Sequence, residues 1–405
     1  RCLFCSFASK AKSFDMEFTK TFNELKKIFS LERDKTVIPN SGIEIQLMNF
    51  TSSSSLVLPS NGVNEQTYFH QAIATNDGSI VENKSFSYPV FIPTSQTLHS
   101  KAIILLHGLN ERSWLKYLPW AYYLAENTNR PVILFPISFH MNRSPENWAN
   151  PRAMMPLLAN RQKMETLDMA TFANVALSQR LSDDPLRFFA SGKQSAEDLI
   201  YLLDTIKQGN YPLLAKDSQI DFFSYSIGAF LSQILFLANP KDLLCNSRLF
   251  MFCGGAHFSE MFGTSRLIMD SKAYSSLRKY YLNEFLDELK IRSPFSTYIK
   301  KSQLGEAFLG MLSPETNREY RESRLEKLKN QVRIISLKND HVIPSTYIQS
   351  TFSSLKNKIK DIVHELDFPF EYTHEIPFPI YHNPNHRLVD QSFIRVFEPA
   401  VDFLK

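Results

Sequence analysis

Cysteine is scarce: Cys2, Cys5, Cys245 and Cys253 are the only four in 405 residues. That number cannot build the disulfide framework of a small secreted scaffold, so a reducing, cytoplasmic setting is the expectation. Cys2 and Cys5 have CxxC spacing, but no second ligand pair completes a zinc site and no strand–helix context makes a redox motif. No metal or cofactor is expected. Long apolar runs are also missing. "AIILL" and "PVILFPI" fall far short of the roughly 20 residues a membrane-spanning helix requires. An excess of one charge is missing too, since 45 Lys and Arg face 41 Asp and Glu for a formal +4. The charges alternate in sign, as in "NREYRESRLEKLKNQ" (317–331), which reads as a solvated helix and not a nucleic-acid stripe. No internal repeat is present. The opening "RCLFCSFASKAKSFD" lacks an initiator methionine, which fits either the stub of an export signal or upstream sequence, with Met16 as the alternative start.

What is there is apolar: 43% of residues are hydrophobic and 21% charged, enough to bury a large core. Residues 17–30 carry helical spacing, "GIEIQLMNF" (42–50) alternates as a strand does, and "TSSS" (51–54) is a loop. Further strands are expected at 67–74 and 87–93, giving residues 1–95 as an N-terminal extension with an antiparallel start to a sheet. From about 96 to 405 the rhythm is that of a parallel sheet buried on both faces, with helices between continuous apolar strands. "KAIILLHG", "PVILFPISF" (131–139), "QIDFFSY", "SRLFMFCGG" (247–255), "QVRIISL" (331–337) and "IVHELDF" (362–368) are its strands. Trp114, Leu118, Tyr122 and Ala125 mark a helical face that Pro119 kinks or restarts. Ser195 and Asp198 form a capping box for a helix ended by Gly209, and Val389, Phe393, Phe397, Ala400 and Leu404 face inward on a closing helix. Two stretches interrupt the pattern as insertions: 140–190, without clear periodicity, and 256–330.

The chemistry concentrates at "DFFSYSIGAF" (221–230). The strand period ends at Ser226, and a helical period begins with Ile227, Leu231, Ile234, Leu235 and Ala238, running to the Asn239–Pro240 stop. A nucleophile elbow requires small residues two positions either side of its serine, and Ser224-Tyr225-Ser226-Ile227-Gly228 meets that, with Ser224 in place of the usual glycine. Reading Ser224 as nucleophile would put Phe222 in the crowded position, so Ser226 is the candidate. A serine needs a histidine to take its proton and a carboxylate to orient that histidine, in the chain order Ser, acid, His. Asp340 in "SLKNDHVIPS" follows an apolar strand; Glu260 in "CGGAHFSE" is the weaker alternative. His374 in "EYTHEIPFP" is the favoured base, with His386 next and His382 close behind, while His364 reads as a packed strand residue. The backbone N–H groups of Leu109 and Ile227 are the expected oxyanion donors, and His107 braces that loop.

The blocks "HGLNERSW", "KYLPWAYYLA", "PVILFPISFHMNRSP", "SYSIGAFLSQILFLANP", "FMFCGG" and "THEIPFP" resemble a family of bacterial, largely Bacteroidetes, α/β-hydrolase-like proteins of unknown function. The resemblance covers about 100–405. It implies the α/β-hydrolase fold, a mostly parallel sheet with helices on both faces and a lid insertion, and by position Ser226, Asp340 and His374; it implies no substrate. Phe258, Met261, Phe262, Tyr274, Tyr280, Tyr281 and Phe285 lie where such proteins carry a lid, which suggests a small-molecule ester with an apolar acyl or aromatic group, unless they only pack the lid onto the core. Arg112, Arg143 and Arg152 on loops after strand ends are candidates to grip a carboxylate. The leading expectation is a serine hydrolase forming an acyl-enzyme on Ser226. The alternatives are an acyltransferase and an inactive hydrolase-fold protein that binds a ligand or partner. A peptidase would ask for a peptide-binding cap or propeller that is not evident.

Overall fold

The computed structural model describes residues 17–54, 77–163, 168–381 and 385–405. The expected strand at 67–74, Cys2, Cys5, Met16 and His382 lie outside them. The nine strands among the described residues are β1 (Lys35–Val37), β2 (Ile43–Thr51), β3 (Ser85–Pro93), β4 (His99–Leu106), β5 (Val132–Leu134), β6 (Leu214–Tyr225), β7 (Leu249–Phe252), β8 (Val332–Leu337) and β9 (Val363–Leu366). They form one sheet in the order β1-β2-β3-β5-β4-β6-β7-β8-β9. The pairs β1–β2, β2–β3 and β3–β5 are antiparallel, and every pair from β5 to β9 is parallel.

Strand side chains alternate between two cores, as a sheet covered on both faces demands. Ile104, Leu106, Phe222, Met251 and Ile334 belong to one cluster, closed by the helices Leu186–Lys207 and Ile227–Ala238. Ile103, Leu105, Phe223, Phe250 and Ile335 belong to the other, closed by Phe18–Ile28, Leu118–Thr128 and His386–Leu404. Phe223, Phe397 and Phe393 stack in sequence in this second layer, with ring centroids 5.0 and 4.1 Å apart. Val389, Phe393, Phe397, Ala400 and Leu404 are all fully buried, as their spacing predicts. This strand order with helices on both faces is the α/β-hydrolase fold. Between β5 and β6 the chain crosses from one side of β4 to the other, and a crevice opens at the carboxyl ends of strands at such a reversal.

Several elements depart from expectation. β5 stops at Leu134, because Pro136 cannot donate to a ladder and Phe139 takes φ 64°. Residues 140–190 are not irregular: they hold the helices Pro151–Arg161 and Val175–Asp183 and the start of Leu186–Lys207. Ser195 and Asp198 therefore sit in mid-helix and cap nothing. Ser195 Oγ accepts the Ser138 N–H at 2.9 Å, and Asp198 pairs with the fully buried Arg143 at 2.8 Å. Of the two roles expected of Pro119 the structure has the second, since it kinks no helix and lies in the first turn of Leu118–Thr128. His364 is exposed, because β9 is the edge strand. The helix Arg318–Leu328 is largely solvated, yet Arg321 is buried and donates to the carbonyls of Gly310 and Pro314 at 2.8 and 2.6 Å.

Candidate active site

β4 and β6 are neighbours on the two sides of the crossover, and the loops leaving them meet at the crevice. β6 ends at Tyr225, and the next helix begins at Ile227. The turn between them is Ser226 alone, at φ 56° and ψ −121°. This is a conformation that costs a residue with a Cβ about 1–3 kcal/mol and persists only where its surroundings over-determine it. They do so here. The Ser226 N–H donates to the Phe252 carbonyl at 3.2 Å, and Gly228 N–H donates to the His107 carbonyl at 3.1 Å. A Cβ on Gly228 would lie 2.7 Å from that carbonyl oxygen, and one on Gly254 would lie 2.4 Å from Ala229 Cβ. From Gly228 to Ala238 every residue of the helix is buried, which anchors the turn from below.

Ser226 Oγ lies 2.6 Å from His374 Nε2, and His374 Nδ1 lies 2.7 Å from Asp340 Oδ2. All three side chains are buried, Ser226 being 5% exposed. Asp340 Oδ1 accepts the N–H groups of Val342 and Ile343, both at 2.9 Å, so one oxygen is fixed by backbone and the other is left for the imidazole. With Nδ1–H donated to a carboxylate, Nε2 is the bare nitrogen facing the hydroxyl. The His374 ring stacks on Tyr225 at 5.5 Å, and the Tyr225 hydroxyl donates to the His374 carbonyl. Burial of the Cys253 thiol and the nearby Asp340 charge push its pKa well up, so it remains protonated beside the acid.

Other candidates are elsewhere. Ser224 Oγ bonds Ser232 Oγ at 2.6 Å in the core. Glu260 pairs with His257 at 2.9 Å. His386 opens the last helix, with Nε2 3.2 Å from the Ile380 carbonyl oxygen. Arg143 is committed to Asp198, and Arg152 is exposed. Sequence reasoning missed the bracing of the loop after β4. Tyr117 OH accepts the Gly108 N–H at 2.9 Å and donates to Glu111 at 2.9 Å, and Lys116 joins Glu111 to the Glu375 carbonyl. Asn110 donates to the carbonyls of Ala173 and Leu267 at 2.9 and 2.8 Å, tying the loop to both inserted segments. Periodicity carries no signal for such contacts between distant polar groups.

His107 is held neutral by burial first, with the neighbouring His140 and the Lys116 and Arg143 cations adding to the effect. Its Nδ1 faces the Gly108 carbonyl at 2.8 Å and its Nε2 accepts the Ile137 N–H at 2.9 Å, so it braces the loop as expected. His140 is also pushed down, to about 3, by burial first and the Arg112 cation second. Below the ordinary value of 6.5 the unfolded chain takes up a proton that folded His140 refuses. The stability this gives is complete above pH 6.5 and lost as the pH falls towards 3. In urea titrations between about pH 6 and pH 4, His140→Asn should show a shallower loss of stability than wild type, by about 1.4 kcal/mol per pH unit. Equal slopes would mean that His140 is charged in the fold.

Ser226, Ile227 and Leu109 line an apolar pocket of about 520 Å³ roofed by Phe258, Met261, Ile268, Met269 and Tyr274. Of the expected lid aromatics, Phe258 and Tyr274 thus face the pocket with Met261; Tyr281 and Phe285 are buried in the core, Tyr280 packs against it, and Phe262 is exposed. Ile227 is the first residue of its helix, so its N–H has no intrahelical acceptor. Among the described residues no helix is long and apolar enough to cross a membrane.

No curated protein matches the sequence. Among solved structures, a bacterial heroin esterase aligns at 10% identity and a TM-score of 0.44, covering 90% of this chain and 85% of its own. A cold-adapted esterase from an Arctic intertidal metagenomic library aligns at 8% and 0.39, covering 93% and 100%. A putative dipeptidyl aminopeptidase IV from Bacteroides ovatus aligns at 13% and 0.40, covering 89% and 36%. Identities this low transfer no residue's role. The model of a family of unknown function (DUF6051) matches residues 16–405, and the chain belongs to that family.

Proposed function

We propose that the protein is a serine hydrolase that cleaves a carboxylic ester through an acyl-enzyme on Ser226. Ser226 Oγ attacks the ester carbonyl while His374 Nε2 takes its proton. The carbonyl π-electrons move onto oxygen, where the N–H groups of Ile227 and Leu109 receive the charge. The C–O bond then breaks, and the imidazolium returns the proton to the departing alcohol. Water repeats the sequence on the acyl-enzyme, releasing the acid and restoring the serine. Asp340 holds the tautomer and balances the imidazolium charge. Segment 256–330 serves as the lid of a domain spanning 96–405, with 1–95 as its N-terminal extension.

The observation that carries this reading is the hydrogen-bonded relay Ser226–His374–Asp340, with contacts of 2.6 and 2.7 Å, at a positive-φ turn between a strand and a helix of the parallel sheet, where Ser226 is the only positive-φ serine among the described residues. Packed serines in strands do not require that backbone. A fluorophosphonate probe should label wild type and Ser224→Ala but not Ser226→Ala. Labelling that persists in Ser226→Ala would sink the reading, and loss confined to Ser224→Ala would move the nucleophile.

A further inference from the structure

A second cavity, of about 1000 Å³ of space between atoms, adjoins the serine pocket and shares Leu109, Ile227 and Phe188 with it. Its walls are mostly aromatic and aliphatic, with Phe189, Phe230, Leu231 and Phe308 along one side. Among the described residues the charged ones lining it are Arg112, Arg180, Arg187 and Lys193, with no acid. Three of these cations have carboxylate partners behind the wall. Arg180 and Arg187 share Asp77 at 2.6 and 3.2 Å, and Lys193 pairs with Glu197 at 2.6 Å. Arg112 forms no ion pair among the described residues. Its Nη1 and Nη2 donate to the Phe139 carbonyl and Asn110 Oδ1 at 3.2 and 3.1 Å, while its Nε is buried without an acceptor. Nη1 of Arg180, a residue only 3% exposed, is likewise buried without one. Burial and the repulsion of Arg180 push Arg112 down to about 10, so at neutral pH it is still a cation.

Arg112 thus lines the cavity as a cation without a carboxylate of its own among the described residues, and an anion entering the cavity supplies one. We propose that this cavity takes the acyl chain of the substrate and that Arg112, with Arg180 beside it, binds an anionic group, a carboxylate, at that chain's far end. The acyl side is assigned because the two cavities meet at Leu109 and Ile227, where the ester carbonyl sits in the proposed mechanism and the acyl chain begins. The substrate class is then an ester of an acid that carries a second carboxylate across an apolar spacer. Arg112 reaches this position from the same loop as Leu109, with Asn110 between them accepting from its guanidinium.

The inference rests on the hydrolase reading, and one set of substrates separates the two. Mono-p-nitrophenyl esters of succinate, adipate and suberate are compared with neutral p-nitrophenyl esters of equal acyl length. Wild type should give a higher kcat/KM for the anionic ester at one length or more. That anionic-to-neutral ratio should fall about ten- to hundred-fold in Arg112→Gln, the effect of losing a buried charge-assisted hydrogen bond. The ratio should hold in Arg152→Gln, which removes an exposed guanidinium. A neutral preference at every length, or a ratio unchanged in Arg112→Gln, would overturn the proposal; Arg112→Lys carries the same comparison if the glutamine variant does not fold. If no ester is turned over, the hydrolase reading fails on its own. Calorimetric titration of wild type with the corresponding monomethyl esters then decides the site: binding that Arg112→Gln loses supports it, and no binding overturns it.

Discussion

Replacing His374 by alanine is expected to lower kcat/KM for a p-nitrophenyl ester by on the order of 10⁴ to 10⁶, whereas His386→Ala leaves it unchanged. The asymmetry follows from position, since His374 Nε2 lies 2.6 Å from Ser226 Oγ while His386 faces the Ile380 carbonyl at an exposed helix start. Asp340→Asn is the more diagnostic companion, with an expected loss of about 10⁴ in kcat. An asparagine oxygen can still accept the Val342 and Ile343 N–H groups, so the loop is retained. Its amide nitrogen, however, would donate to His374 Nδ1 and force the proton onto Nε2, which then presents a donor to the serine hydroxyl. A folded Asp340→Asn with near-normal turnover would refute the proposed role of Asp340, and equal losses in both histidine variants would refute that of His374.

Gly228→Ala should cost about 1–3 kcal/mol of stability, read as a lowered urea midpoint, and slow fluorophosphonate labelling as well. The added Cβ meets the His107 carbonyl oxygen at 2.7 Å and the carbonyl carbon of Leu106 at 2.8 Å. Both are backbone at the end of β4, so no side chain can swing aside. Relief must come from moving the first turn of the helix away from β4, which also shifts Ile227 and Ser226. The same change at Gly192, where a Cβ meets nothing within 4 Å, is the control. Wild-type stability and labelling in Gly228→Ala would mean the turn is not tightly packed against β4.

The serine turn was legible because two patterns meet there: β6 ends in a continuous buried run up to Tyr225, and the helix begins one residue past Ser226. Asp340 was legible because it leaves an apolar strand that could only be central. The histidine was open among His374, His382 and His386 because their segment is irregular, and only the fold decides which ring comes back over β6. The helices within 140–190 were hidden for a different reason. Arg143, Arg161, Gln179 and Arg180 are polar residues buried in mutual or long-range pairs, as Arg161 is with Asp270 at 2.5 Å. A rule that equates polar with exposed misplaces every one of them. The cationic end of the second cavity was visible only as three candidate arginines, because the partner that separates Arg143 from Arg112 lies 55 residues along the chain.

The left-handed backbone at residue 226 also has a bearing on how the sequence could change. Glycine adopts φ 56°, ψ −121° without the penalty a side chain carries there, so a glycine at this position relaxes the fold while removing the hydroxyl. Selection for heat resistance alone would drift towards that glycine. A serine at this turn is thus accounted for by what its hydroxyl does in the proposed mechanism and not by stability.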